Sequence, residues 1–391
     1  SLLPEKGRER AELLPLLAFA LFETGDLDRV RDVTEETAET AIACGAPDLE
    51  AYAVILGLWI RLSWNPEGWA DTADREATAA ISAFEAVGDE RGLAKAWALL
   101  GLVNIERAHF AAAEQAWENA AGHARAAGDR RDELESLSWV PLAAWAGPAH
   151  VDDGLCRCEQ VLQRAKGDNK VIASALIGQA LLEGGVGRFE EARELITRAK
   201  ALLEEFALTP WLAGPLAQFS GRLELLAGDP VSAERELRRG YDKLRELGER
   251  SWLSTLAAIL AEAVHAQERD DEAEQLLRAS EESAGAEDAY SQALLRSVRA
   301  KVVGRGGELD EAERHARAAV ALADTTDFPH LRWHARMSLG EVLGLAGRCH
   351  DASVVVHEAI RIAKQKGSLV EAQRARELLE RVEEAESTES S

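Results

Sequence analysis

Methionine occurs once in the 391 residues, at Met337, and aromatic residues make up only 5 % of the chain. No apolar run approaches the ~20 residues that span a bilayer. No basic segment leads into an apolar stretch with a cleavage site, so no secretory signal is read. The four cysteines, Cys44, Cys156, Cys158 and Cys349, are scattered. They make no disulfide framework, and the expected compartment is a reducing cytoplasm. Cys156 and Cys158 would diverge by about 200° on a helix, which does not suit a redox pair. Positive charge is outweighed, 45 Lys and Arg against 69 Asp and Glu, for a net charge of −24. Such a surface repels nucleic acid and anionic membrane, so neither is an expected partner. Period-two runs of Val and Ile are nearly missing, which argues against strands.

Ala, Leu, Glu and Arg dominate instead, and hydrophobic residues reach 47 %. That mixture favours helix. It is organised as a repeat. A small residue follows a turn in GRFEEA, GDPVSA, RDDEA, GELDEA and GRCHDA. These residues, Ala192, Ala233, Ala273, Ala312 and Ala352, follow one another at steps of 41, 40, 39 and 40. The frame runs backward through Gly154, Ala113, Ala73 and Val30. The result is about nine units of roughly forty residues. Asp89, Asp129, Asp168, Glu249, Asp288 and Asp327 keep the same beat at the unit junctions, where an acidic residue is expected to cap a helix N-terminus.

Two further small positions complete each unit. Ala18, Gly101, Ala180, Gly221, Ala261, Ala300 and Gly340 precede the anchors. Ala80, Ala120, Ala199, Gly240, Ser280, Ala319 and Ala359 follow them. Helices approach closely only where side chains are small. The mid-helix glycines cost about 1 kcal/mol each in propensity, which close packing is expected to offset. Units 2 and 4 fit poorly at RLSWNPEGWAD and WAGPAHVDDG and are expected irregularities.

This small-residue code resembles the tetratricopeptide repeat over essentially the whole chain. The period is longer than the usual thirty-four residues, which implies longer helices. The expected fold is an all-α, right-handed superhelical solenoid over residues 1–386, with an acidic and polar tail at 387–391. The segments RAELLPLLAFALFETGDLD, GDERGLAKAWALLGLVNIERAHFAAAEQAWENAAGHARAAGD and GRCHDASVVVHEAIRIAKQKGSLVEAQRARELL resemble the C-terminal sensor regions of actinobacterial STAND-type signalling ATPases. In that family the region accompanies a class III cyclase or a DNA-binding output, or binds an inducer as in maltotriose-responsive activators. The resemblance implies a regulatory arm attached to an NTPase and an output domain. A chain that opens in mid-helix pattern without an initiator methionine is read as a region of something longer. A free-standing adaptor is the second reading.

Catalytic motifs are missing. No G-x-x-x-x-G-K-[ST] loop is present, and GGVGRFEE and GRGGELDE read as helix–helix turns. His330 and His334 share a helical face but lack a ligand in register, so no metal is expected. Carboxylates interleave with Arg and Lys, as in EEARELITRAK, in the manner of solvated helix faces. No enzyme activity and no cofactor are expected. The first helix of each unit should line a concave groove. Its register places Lys95, Ala98, Leu102 and Ile105 inward in unit 3, and Ser174, Ile177, Leu181 and Gly184 in unit 5. From unit 6 onward the inward set turns polar: Gln218, Arg222, Glu262, His265, Lys301, His334 and Glu341. Trp211, Trp252 and His330 recur at one repeat offset nearby. These ten residues are the expected binding surface for a protein or peptide partner, or for a small-molecule inducer. Mutual pairing of the charges, Arg222 with Glu262 or Lys301 with Glu341, is the competing expectation.

Overall fold

The computed structural model describes residues 7–45 and 47–389. Among the described residues the regular structure is entirely helical. Units 1 to 3 are plain helix pairs. They comprise α1 (Arg8–Thr24) with α2 (Leu27–Cys44), α3 (Pro47–Arg61) with α4 (Trp69–Val87), and α5 (Glu90–Glu106) with α6 (Phe110–Ala126). In unit 4 the first helix is broken into α7 (Arg130–Leu137) and α8 (Val140–Ala146) before α9 (Val151–Ala165). Unit 5 pairs α10 (Asn169–Gly185) with α11 (Phe189–Glu205). Unit 6 opens with α12 (Thr209–Trp211), a π-helical turn (Leu212–Leu216) and α13 (Ala217–Ala227), and closes with α14 (Pro230–Leu247). Units 7 to 9 pair α15 (Ser251–His265) with α16 (Asp270–Ser283), α17 (Ala289–Arg305) with α18 (Leu309–Ala323), and α19 (Pro329–Leu345) with α20 (Cys349–Lys366). A last helix, α21 (Leu369–Glu389), packs on α20. The architecture is the expected right-handed tetratricopeptide-like solenoid.

The small-residue code has a direct physical reading. Val30, Ala73, Ala113, Ala192, Ala233, Ala273, Ala312 and Ala352 are all completely buried, each in the first turns of a second helix. A Cβ placed on Gly101 would come 2.4 Å from the Trp117 ring, on Gly221 2.3 Å from Leu237, and on Gly340 2.6 Å from Val356. In each case the glycine of the first helix receives a large side chain from its own partner helix. The Asp markers also act as expected where they open a helix. Asp89 accepts from the backbone of Arg91 and Gly92, Asp129 from Asp132, Asp168 from Val171 and Asp288 from Ser291.

The expected irregularity of unit 4 is its broken first helix, that of unit 2 is confined to the longer connection 62–68, and unit 6 adds one. Pro215 has no N–H to give, and the chain widens to a π-helical turn around it.

The superhelix closes on itself. Glu287 Oε2 accepts from the Ala70 N–H at 2.7 Å, a separation of 217 residues. Asp327 accepts from Phe110 and Ala111, 2.6 and 2.9 Å, again 217 and 216 residues away. Lys366 Nζ donates to the Gly147 carbonyl at 2.7 Å, 219 residues away. At roughly forty residues per unit one superhelical turn therefore takes between five and six units. The starts of α4 and α6 and the approach to α9 rest on the 7/8, 8/9 and 9/cap junctions. Carboxylates at helix N-termini and an ammonium on terminal carbonyls suit the helix dipole. Asp327 thus caps α6, not the helix that follows it in sequence.

Candidate functional site

Closure turns the concave groove into an enclosed axis. The chain's few aromatics gather there. Phe19 packs on Trp59, Trp59 on Trp117, and Trp117 stacks on Trp139 with centroids 5.7 Å apart. Trp139 meets Trp211 at 5.4 Å and Trp252 at 6.4 Å. Through Phe219 the contacts continue to Trp145, Phe328, His330 and Trp333. This string divides the axis into four chambers of about 20, 60, 70 and 40 Å³. Phe19 and Trp59 stand between the first and second, Trp139 and Trp252 between the second and third, and Trp145 between the third and fourth. The four inward positions read on α5 line them in order: Lys95 and Ala98 the first, Leu102 the second, Ile105 the third.

Of the polar residues expected to line the groove, Gln218, Arg222 and His330 line the axial chambers, and most of the set are paired. Glu262 accepts from Lys301 at 3.0 Å and is 2.7 Å from His334 Nε2. Burial opposes its charge, but His334 and Lys301 hold its carboxyl well below the ordinary range. Burial likewise opposes the charge on Lys301, and Glu262 and Glu341 outweigh it, so its pKa is raised. Arg222 donates to His330 Nε2, and the other ring nitrogen faces Glu371. A ring that accepts at Nε2 carries its proton on Nδ1 and donates it to Glu371. Burial and then Arg222 lower the His330 pKa, consistent with a neutral ring. His265 stands apart, 2.6 Å from Asp270. Trp211 and Trp252 both wall the second chamber. Gln218 faces the third, and Glu341 is half-buried near Lys301. Arg222 pairs with His330 rather than Glu262, and Lys301 with Glu262 rather than Glu341.

The third chamber holds residues that sequence reasoning did not nominate. Glu106 and Asp288 line it, and Glu249 lines the adjoining second chamber. Burial raises the Glu106 pKa well above the usual range, and the charges of Asp288 and Glu249 add to that. Burial pushes Glu249 up to about 8 against its hydrogen bonds from the α15 backbone. Burial also raises Asp288. Several atoms around this space lack a hydrogen-bond partner: Gln218 Oε1, Glu249 Oε1, Trp139 Nε1 and the Tyr290 hydroxyl. The available signal was Glu249, a glutamate where the other junction markers are aspartate. Glu106 gave none.

The arrangement offers recognition chemistry. Among the described residues no three His, Cys, Asp or Glu side chains are placed to hold a metal ion, and no helix is long and apolar enough to cross a membrane. A wider groove of about 570 Å³ lies outside the axis, between α11 and α14 beside the π-helical turn. Its cations are largely engaged, as Arg193 is with Glu224 and Glu190.

No known protein family and no curated protein matches the chain. Solved structures do. A Rap protein complexed with competence and sporulation factor is 12 % identical, with a TM-score of 0.61 over 97 % of this chain and 99 % of its own. Yeast Tom70 is 13 % identical, with a TM-score of 0.41 over 96 % of this chain and 89 % of its own. A STAND protein with a tetratricopeptide repeat sensor from Pyrococcus horikoshii is 16 % identical, with a TM-score of 0.44 over 96 % of this chain and 55 % of its own. The Rap likeness establishes the fold.

Proposed function

We propose that the chain is a noncatalytic recognition module that takes a ligand, or a segment of a partner, into its superhelical axis. The observation behind this reading is the axis itself: partly open chambers walled by aromatic rings and edged by unpartnered polar atoms. Apolar walls with a few convergent polar groups are the usual make-up of a ligand site. The Rap structure was solved in complex with competence and sporulation factor, which supports a binding role for this fold. The resemblance to STAND sensor regions supports the finer reading, a regulatory arm whose ligand state governs an attached ATPase. Closure supplies a means. A ligand between the turns changes how firmly the unit 2 to 4 helices rest on the later junctions.

The test is thermal unfolding of the chain against pools of metabolites and short peptides. Ligand at about a hundred times its Kd adds about 2.7 kcal/mol. For a chain of this length that is a rise of about 3 °C. Trp252→Ala, which opens the wall between two chambers, should abolish the response. A response that survives in Trp252→Ala counts against the axis as the site.

A further inference from the structure

Buried carboxylates in this chain generally have cationic partners. Glu133 pairs with Arg125 and Arg130, Glu135 with Lys170, and Glu262 with Lys301. The third axial chamber departs from that habit. The charges acting most strongly on Glu106 are Asp288, Glu249 and Glu287, all negative. The groups that hydrogen-bond Asp288 are Ser254 and Ser291, and those that bond Glu249 are the backbone N–H groups of Trp252 and Leu253. The nearby cation Arg222 lies over the Tyr290 ring, 5.1 Å from its centroid; its Nη1 donates to His330, and its Nε and Nη2 are unpartnered.

A second observation is independent of the charges. Gln218 is only 2 % exposed, lines this chamber, and its Oε1 has no hydrogen-bond donor. Glu249, 5 % exposed, likewise has an unpartnered oxygen. Gln218 Oε1 is an acceptor, and Glu249 Oε1 becomes one once a ligand displaces the carboxyl proton, so a donor satisfies both; Trp139 Nε1 and the Tyr290 hydroxyl are unpartnered beside them. The walls around them are the rings of Phe110, Trp139, Trp145, Phe219, Trp252 and Tyr290. Aromatic faces attract cations and cover alkyl chains. Acceptors, carboxyl groups without an ion-pair partner and aromatic faces together describe the complement of one ligand group.

We propose that the third chamber receives an organic ammonium group, with its charge at Glu106 and Asp288 and its methylenes against the rings. The proposal deepens the reading of the axis as a ligand site and rests on it. At about 70 Å³ the chamber has room for several water molecules. That suits an ammonium head with a few methylenes. The stem leaves past Trp139 and Trp252 toward the second chamber, beside Glu249. The same group is carried by a free alkylamine and by a lysine side chain of a peptide.

The test is calorimetric titration of the whole chain with n-pentylammonium, with pentan-1-ol as its uncharged counterpart, and with a pentapeptide centred on lysine. The expected result is that pentylammonium binds at least about tenfold more tightly than pentanol, the equivalent of one charge-assisted hydrogen bond. Glu106→Gln should weaken pentylammonium by about tenfold or more and leave pentanol unchanged. Glutamine can keep the hydrogen bond that Glu106 Oε1 accepts from the Ser251 hydroxyl at 3.4 Å, so the variant should fold, and circular dichroism checks it. Tyr290→Phe keeps the ring and should change pentylammonium binding less than Glu106→Gln does. A lysine peptide tighter than pentylammonium identifies a peptide source, and the reverse identifies a free amine. Equal binding of pentanol and pentylammonium, binding by neither, or an unaffected Glu106→Gln overturns the ammonium proposal. The axis reading fails separately, through a ligand response that Trp252→Ala leaves intact.

Discussion

Glu249→Gln should stabilise the folded chain, and by an amount that grows with pH. Glu249 is 5 % exposed, and burial raises its carboxyl from the ordinary 4.5 to about 8. Between those two values the folded chain holds a proton that the unfolded chain has released. Stability of the native protein therefore falls as pH rises through this window, and the loss is complete above about pH 8. At about 1.4 kcal/mol per pH unit, the whole window amounts to about 5 kcal/mol. Glutamine keeps a carbonyl oxygen for the Trp252 and Leu253 N–H groups and has no proton to lose. The variant should exceed the native chain by under ~1 kcal/mol at pH 5, by about 3 at pH 7, and by about 5 at pH 9. Urea unfolding followed by tryptophan fluorescence at the three pH values measures the gap. A gap that does not change with pH, or a native chain that is the more stable at pH 9, refutes the buried-acid argument.

Other parts of the structure make their own demands. Gly101→Ala drives a methyl group into Trp117 and should destabilise by about 1–3 kcal/mol despite better helix propensity, whereas Gly122→Ala, with open space around its Cβ, should stabilise by up to about 1 kcal/mol; thermal unfolding of the pair compares them. Asp327→Ala removes the acceptor for Phe110 and Ala111 across the superhelical turn, and should cost about 1–2 kcal/mol with faster amide exchange at the start of α6, more than 200 residues from the substitution. Lys301→Met leaves Glu262 buried with His334 alone and should lower stability at pH 7 by about 3 kcal/mol, read from chemical denaturation.

Local order was legible because it repeats. The period, the buried anchors and the Asp caps each follow from one helix meeting its neighbour, and nine units say the same thing. Closure was not legible, because it joins residues 217 apart through single side chains. Asp327 shows the limit: its spacing reads as a cap for α19, yet its oxygens go to α6. The inward register was right for Lys95, Ala98, Leu102 and Ile105. What it could not supply was the opposing wall. Arg222 finds His330 and Glu262 finds His334 only because the helices converge on the axis. The acidic chamber was hidden for a similar reason. Glu106, Glu249 and Asp288 lie on three separate units, and two of them read as ordinary junction residues. The π-helical turn at Pro215 has no counterpart in the other units, so no repeat pattern marked it.

The account rests on recognition inside the closed axis, and amide hydrogen exchange with and without ligand tests that most directly. The ligand is the compound from the thermal pools that stabilises the chain most. Protection is expected in three places: the end of α5 at Ile105 and Glu106, the start of α15 at Ser251 and Trp252, and the start of α17 at Tyr290. The junctions that close the superhelix, around Ala70 and Phe110, should be protected with them. Protection confined to the outer groove between α11 and α14, at Ile196, Leu216 and Arg239, with the axis unchanged, would contradict it.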